Sequence, residues 1–297
     1  MGADLAREYP IAAAVYAEAD DVLGEPFARL CFEGPAAALD ETLNTQPALY
    51  VIGVAIVRVL ESHVGPVKPI GAAGHSVGEL TALAAAGAMS FADGLRLVRE
   101  RARAMRDAGA AQPGGMAALL GPTLSEAEAL CVQASAESGK PVVVANDNCP
   151  GQVVISGDIA ALERALQLAT ERGVKRAVKL AVSIPAHSPL MTSAAERFRT
   201  ALAATPFTEP RYPVISNATT QSLREPDEIR PALGGQLTSP VHWTECVRTL
   251  RNLGAETFLE IGPKDVLTGL LKRIDRAATG IALNSAAAIT AFIATGN

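Results

Sequence analysis

The chain has 297 residues, 49% of them apolar, and a net charge of −5, which is enough chain for a full core and too apolar for disorder. Aromatic residues make up only 4% and no basic patch stands out, so nucleic acid and an anionic membrane are poor partners. Cys31, Cys131, Cys149 and Cys246 are scattered, without CxxC or nearby histidines at ligand spacing, and read as reduced thiols rather than a metal site or a disulfide framework. The N-terminus, Met1 to Tyr9, has no apolar segment of the signal-peptide kind, and a cytoplasmic protein is expected. Residues 10–24 carry helical periodicity. Residues 47–63 are the most apolar helix candidate. Their apolar run, Pro47 to Leu60, contains Arg58, is too short to span a bilayer and reads as a buried helix. Val67 to Ser76 reads as a short strand entering a tight glycine-rich turn, followed by a small-residue helix from Val77 to Gly87. Residues 91–109 form a further helix carrying Arg96, Arg99, Arg101, Arg103 and Arg106.

Residues 114–183 have a different rhythm. Met116–Leu120 is strand-like, and Ser125–Gly139 is helical with Ser125 as its cap. Pro141–Ala145 and Gln152–Ser156 are strands joined by an Asn-Cys-Pro-Gly turn. Ala160–Arg172 is a helix closed by Gly173, and Val174–Val182 is a last strand. This β-α-β-β-α-β order is the ferredoxin-like split pattern. It predicts a small α+β subdomain, 114–183, inserted into a larger α/β domain made of 1–113 and 184–297. After the insert come a helix over 189–204, a strand at Val214–Ser216, helices near 227–253, a strand at Thr257–Ile261 and a helix over Lys264–Ile274. Alanine is abundant near the C-terminus.

Gly74-His75-Ser76-Val77-Gly78 matches G-x-S-x-G. A serine on a sharp strand-to-helix turn is forced outward, and the flanking glycines let strand and helix approach closely. The free N–H groups at the start of the following helix can stabilise an oxyanion. A serine nucleophile needs a base, and the chain has four histidines. His75 adjoins the serine and points elsewhere, His63 ends a helix, and His242 starts one. His187 lies at a strand end broken by Pro185, where ligand sites of α/β sheets gather. It is the best candidate base, against the alternative of a structural histidine.

These segments resemble a family. Gly74-His-Ser-Val-Gly-Glu-Leu80, Arg96-Leu-Val-Arg-Glu-Arg-Ala-Arg-Ala-Met105, Asn146-Asp-Asn-Cys-Pro-Gly-Gln-Val-Val-Ile-Ser-Gly157, Val182-Ser-Ile-Pro-Ala-His-Ser-Pro-Leu-Met191, Gln236-Leu-Thr-Ser-Pro-Val-His-Trp243 and Glu260-Ile-Gly-Pro-Lys-Asp-Val-Leu-Thr-Gly-Leu270 are similar to malonyl-CoA:acyl carrier protein transacylases, in order and across nearly the whole chain. The resemblance implies an α/β-hydrolase-like core with a parallel sheet and a ferredoxin-like subdomain. It implies Ser76 as nucleophile, His187 as base and the Val77 N–H as oxyanion donor. Arg101, otherwise one charge among five on its helix, matches the arginine that pairs with the malonyl carboxylate. Gln236 matches the residue whose backbone carbonyl orients the histidine. Asn148 aligns with an asparagine beside the active site, its alternative being a turn residue before Pro150. The implied reaction is ping-pong transfer from malonyl-CoA to acyl carrier protein, by a monomer with no cofactor or metal, CoA and phosphopantetheine thioesters being substrates. Val77 is apolar as in malonyl-type members, while Ala186 is small where many polyketide malonyl domains carry phenylalanine, and methylmalonyl stays open.

The family opens with a strand and a Gly-Gln-Gly-Ser-Gln loop that supplies a second oxyanion N–H, and Met1-Gly2 aligns just beyond it. A start placed too far downstream is the preferred reading. The other is a shorter chain lacking one donor, whose loss costs on the order of 10²–10³ in rate. A serine hydrolase and a non-catalytic remnant of the same fold are the competing functions.

Overall fold

The computed structural model describes residues 1–295, and the first quarter of the chain is almost wholly helical. Helices α1 (Ala3–Glu8), α2 (Pro10–Leu23), α3 (Phe27–Glu33) and α4 (Ala36–Asp40) lead into α5 (Thr42–Val64). At 23 residues α5 is longer than the apolar run from Pro47 suggested, and by length and composition it is able to cross a membrane. In the fold it is a core helix, with Tyr50, Val51, Ala55, Ile56 and Val59 buried. Proline lacks the N–H that would bond the carbonyl four residues back. At Pro47 that carbonyl belongs to Leu43, and Arg99 Nη1 donates to it at 3.1 Å.

Strand β1 (Ala72–Ala73) passes through the turn at Ser76 into α6 (Gly78–Ala85), and α7 (Phe91–Ala111) follows. Ser90 caps α7 by accepting from the Asp93 N–H at 3.0 Å. Of the five arginines on α7, Arg96, Arg103 and Arg106 reach the surface, whereas Arg99 and Arg101 are buried.

The inserted region comprises β2 (Gly114–Leu120), α8 (Leu124–Ser138), β3 (Val142–Cys149), β4 (Gln152–Asp158), α9 (Ile159–Glu171) and β5 (Arg176–Lys179). The sheet order is β3-β4-β2-β5, antiparallel throughout, which is the ferredoxin-like arrangement. Leu130, Ala134, Leu162 and Ala165 of its helices share a core with Ala117, Leu119, Val153 and Ile155 of its strands. The cap of α8 is Thr123 rather than Ser125, which already lies inside the helix. Thr123 Oγ1 accepts from the Glu126 N–H at 3.3 Å, and the Glu126 carboxylate accepts from the Thr123 N–H at 2.7 Å, a reciprocal capping box. Strand β5 stops at Lys179, short of the expected Val182. Leu180 N–H makes one more bond, to Met116 O at 2.9 Å, before the chain leaves the sheet towards His187.

A short 3-10 turn, Pro189–Met191, enters α10 (Thr192–Ala204). Then come β6 (Val214–Ile215), β7 (Ser222–Leu223), α11 (Pro226–Gln236), α12 (Trp243–Asn252), β8 (Thr257–Ile261), α13 (Val266–Ile274), β9 (Thr279–Leu283) and α14 (Ala286–Ala294). The sheet of the larger α/β part is in two pieces. β1 runs parallel to β6, which pairs antiparallel with β7, and β8 runs parallel to β9. No ladder joins β1 to β8 among the described residues. A cavity of about 1580 Å³ is lined by both Gly71–Gly74 and Thr257–Ile261 and reaches Val77 at the start of the α6 turn. The insert is tied back beside that turn: Val241 N–H donates to Ala145 O at 2.8 Å and accepts at its carbonyl from the Asp147 N–H at 3.0 Å.

Candidate active site

Ser76 sits where β1 gives way to α6, with φ at 52°, a left-handed conformation that costs a non-glycine residue energy and turns its side chain outward. Gly74 is required there: a Cβ on it would come within 2.0 Å of the Gly78 backbone. Gly78 differs from expectation, since a Cβ on it would meet nothing within 4 Å. The close approach therefore depends on Gly74 alone of the pair. Ser76 N–H donates to Asn217 Oδ1 at 2.7 Å, and Asn217 Nδ2 donates to Gly74 O at 2.8 Å. Asn217, one residue beyond Ser216 at the end of β6, thus holds the turn from both sides. With the Ser76 amide taken, the Val77 N–H stands as the unengaged backbone donor next to the nucleophile among the described residues.

His187 comes to Ser76 from 111 residues away, its Nε2 lying 2.8 Å from Ser76 Oγ. It too has a left-handed backbone, φ 58°. Its Nδ1 is 3.0 Å from Gln236 O and 3.2 Å from Ser239 O. Both partners are carbonyls and only accept, so Nδ1 carries the hydrogen and Nε2 presents its lone pair to the serine hydroxyl. Burial pushes His187 down to about 3, the Arg101 charge adds to the shift, and the bond to Gln236 opposes it. The base is therefore neutral before reaction.

Arg101 is 1% exposed. Its Nη2 donates to Ser76 Oγ at 2.9 Å and to Gln236 Oε1 at 2.9 Å, and its Nε donates to the same oxygen at 3.2 Å. Its Nη1 donates to Gln46 Oε1. Burial lowers Arg101 to about 10, against the attraction of Glu79, so the guanidinium stays charged. A positive group that touches the nucleophile is placed to receive a negative group on the acyl chain.

Gln236 engages the site twice: its carbonyl faces His187, and its side chain bridges Arg101 to Glu79, with Nε2 donating to Glu79 Oε2 at 2.7 Å and to Ser76 O at 3.1 Å. Asn148, near the end of β3, contacts His75 rather than Ser76, its Oδ1 lying 2.8 Å from His75 Nε2. His75 thus turns away from the reacting oxygen, as expected, and packs its ring at 5.6 Å from Trp243. His63 bonds to Val59 O near the end of α5, and His242 precedes α12.

Three site residues escaped the sequence reading: Gln46, Glu79 and Asn217. Each is a buried polar side chain; Glu79 lies inside the Gly74–Leu80 motif without a role assigned to it, and Gln46 and Asn217 stood in no motif. A strained serine, a neutral histidine bonded to it and a buried guanidinium on the same oxygen together form a geometry suited to serine acyl transfer.

The acyl transferase domain family matches residues 1–288. The chain is 42% identical over 293 residues to the malonyl CoA-acyl carrier protein transacylase of Escherichia coli O157:H7, covering 99% of this chain and 94% of that one. It superposes with a TM-score of 0.95 on the malonyl CoA-acyl carrier protein transacylase of Coxiella burnetii, at 38% identity, covering 99% of this chain and 92% of that one. It superposes with a TM-score of 0.94 on a malonyl-transacylase solved in complex with a type II polyketide acyl-carrier protein, at 39% identity, covering 99% and 94%. The chain belongs to the acyl transferase family, among its malonyl-CoA:acyl carrier protein transacylases.

Proposed function

We propose that this chain moves a malonyl group from malonyl-CoA to the phosphopantetheine thiol of an acyl carrier protein, through an ester on Ser76. The observation that carries this reading is the Arg101 guanidinium 2.9 Å from Ser76 Oγ, a fixed positive charge at the point of acylation.

His187 Nε2 takes the Ser76 proton as Oγ attacks the thioester carbonyl. The developing oxyanion is met by the Val77 N–H at the start of α6. The imidazolium returns its proton to the departing CoA thiolate, leaving malonyl-Ser76. The carrier thiol then gives its proton to His187 and attacks the ester, and Ser76 recovers its proton from His187. A carboxylate seated on Arg101 offsets the charge that adds to the burial-driven depression of His187, so a malonyl group strengthens the base that handles it while fixing the carbonyl for attack. Asn148 is kept as a substrate-binding residue in the same reading, although its side chain bonds to His75. No cofactor or metal takes part. A monomer in the cytoplasm belongs to this proposal, and the four buried free thiols fit a reducing compartment.

Arg101→Ala tests it. The preference for malonyl-CoA over acetyl-CoA, measured as the ratio of kcat/KM, is expected to fall by about 10²-fold or more, because a charge-assisted bidentate pairing is lost. An unchanged ratio would overturn Arg101 as the acyl-selecting group.

A further inference from the structure

One acidic side chain packed against this site takes no part in the transfer steps. Glu79, in the first turn of α6, is 0% exposed. Its Oε2 accepts from Gln236 Nε2 at 2.7 Å and from the Asn217 N–H at 3.3 Å. Its Oε1 has no hydrogen-bond partner among the described residues. Leaving a buried oxygen unbonded is costly, and the neighbours show what the other oxygen does. A carboxylate only accepts, so together with the Ser76 carbonyl, which accepts from the same NH₂ at 3.1 Å, it fixes which end of the Gln236 amide faces it. The NH₂ end turns to Glu79, and the oxygen end is left for Arg101 Nε and Nη2. The same carboxylate holds the backbone of Asn217, whose side chain grips Ser76 and Gly74. Arg101 forms no carboxylate ion pair within 4 Å among the described residues: its bonds to Gln236, Gln46 and Ser76 all go to neutral oxygens, so no anion contacts its charge ahead of a ligand.

We propose that Glu79 is a positioning residue for acyl selection, setting the Arg101 guanidinium through the Gln236 amide and the Ser76 turn through Asn217. This rests on the malonyl-transfer reading above. Burial pushes the Glu79 carboxyl up to about 7, with the bonds from Gln236 and Asn217 and the Arg101 charge pulling it back, so assays above that pH read the carboxylate.

The experiment compares the malonyl-to-acetyl ratio of kcat/KM in the wild type, Glu79→Gln, Arg101→Ala and the double variant, with melting temperatures alongside. Glutamine keeps the volume but lets either end of its own amide face Gln236. The ratio is expected to fall about tenfold in Glu79→Gln, the scale of a hydrogen bond to a charged group, and to show no further fall when Glu79→Gln is added to Arg101→Ala. A ratio kept in Glu79→Gln, or an equal fall in both backgrounds, would overturn the inference. Should Glu79→Gln not fold, Gln236→Met breaks the same relay while keeping the carbonyl that faces His187. It is then compared in the same two backgrounds and judged by the same outcomes. A wild type that does not load malonyl overturns the transfer reading and this inference with it. A wild type that loads malonyl, with variants that keep its preference, overturns this inference alone.

Discussion

At Ser76 the chain gathers groups from six segments onto one oxygen and its supports: α5, α6, α7, the loop before Pro189, the end of α11 and the residue after Ser216. Two of these groups titrate in opposite directions, which gives the site a pH signature. His187 is held below its ordinary 6.5, to about 3. Its contribution to stability is present above 6.5 and is lost as pH falls, because the unfolded chain takes up the proton first. Glu79 is held above its ordinary 4.5, to about 7. Its contribution is present below 4.5 and is lost as pH rises through 7. Between 4.5 and 6.5 the two oppose each other. Glu79→Gln removes one of them, so thermal stability of that variant should rise with pH across this window more steeply than in the wild type. Parallel stability curves would contradict the burial-driven shifts. The serine turn was readable from its glycines; His187 was singled out by an expected strand end that the fold does not have, since β5 stops at Lys179 and His187 lies in the loop beyond it. Arg101 could not be separated from four neighbouring arginines without family motifs, because burial of one arginine on a basic helix depends on what packs against it. Glu79 and Asn217 were not readable because their partners lie 157 and 138 residues away along the chain.

At the level of elements, the long periodic segments were legible and the short ones were not. The helices at α2, α7, α8 and α9 announce themselves by apolar spacing, and α2, α8 and α9 also by the glycines that follow them, Gly24, Gly139 and Gly173. Strands β1 and β6 have only two residues each, too few for any alternation to show, and their pairing is held by the helices around them. Helix α14 and strand β9 lie in the alanine-rich C-terminal stretch, where small residues blur both periods; Gly280 in β9 marks a close approach, since a Cβ there would meet Thr268 at 2.8 Å. Helix α5 begins at Thr42, five residues before the expected 47, and continues through Pro47 with Arg99 satisfying the carbonyl the proline leaves free. Capping shows the same limit: Thr123, not Ser125, closes α8. Thr123→Ala should cost about 1 kcal/mol in denaturant unfolding and leave the malonyl-to-acetyl ratio unchanged, while Ser125→Ala should cost far less. Equal costs would contradict the capping box.

Across the whole molecule, a ferredoxin-like layer and a helix-rich α/β layer meet beside the nucleophile, joined where Val241 bonds to Ala145 and Asp147. Their α/β class and the β-α-β-β-α-β order were legible from glycine and proline punctuation. The division of the larger sheet into two pieces, one mixed and one parallel, was not, since strand pairing over such distances leaves no local trace. Malonyl transfer by this chain requires one chemical event, a covalent malonyl ester on Ser76 passed to a carrier thiol. Intact-protein mass spectrometry after brief exposure to malonyl-CoA, followed by peptide mapping and addition of holo acyl carrier protein, reads that event directly. The account predicts one malonyl group on Ser76, absent in Ser76→Ala, and its transfer to the carrier when the carrier is added. No adduct, an adduct on another residue, or release as free malonate with the carrier left unloaded would contradict it.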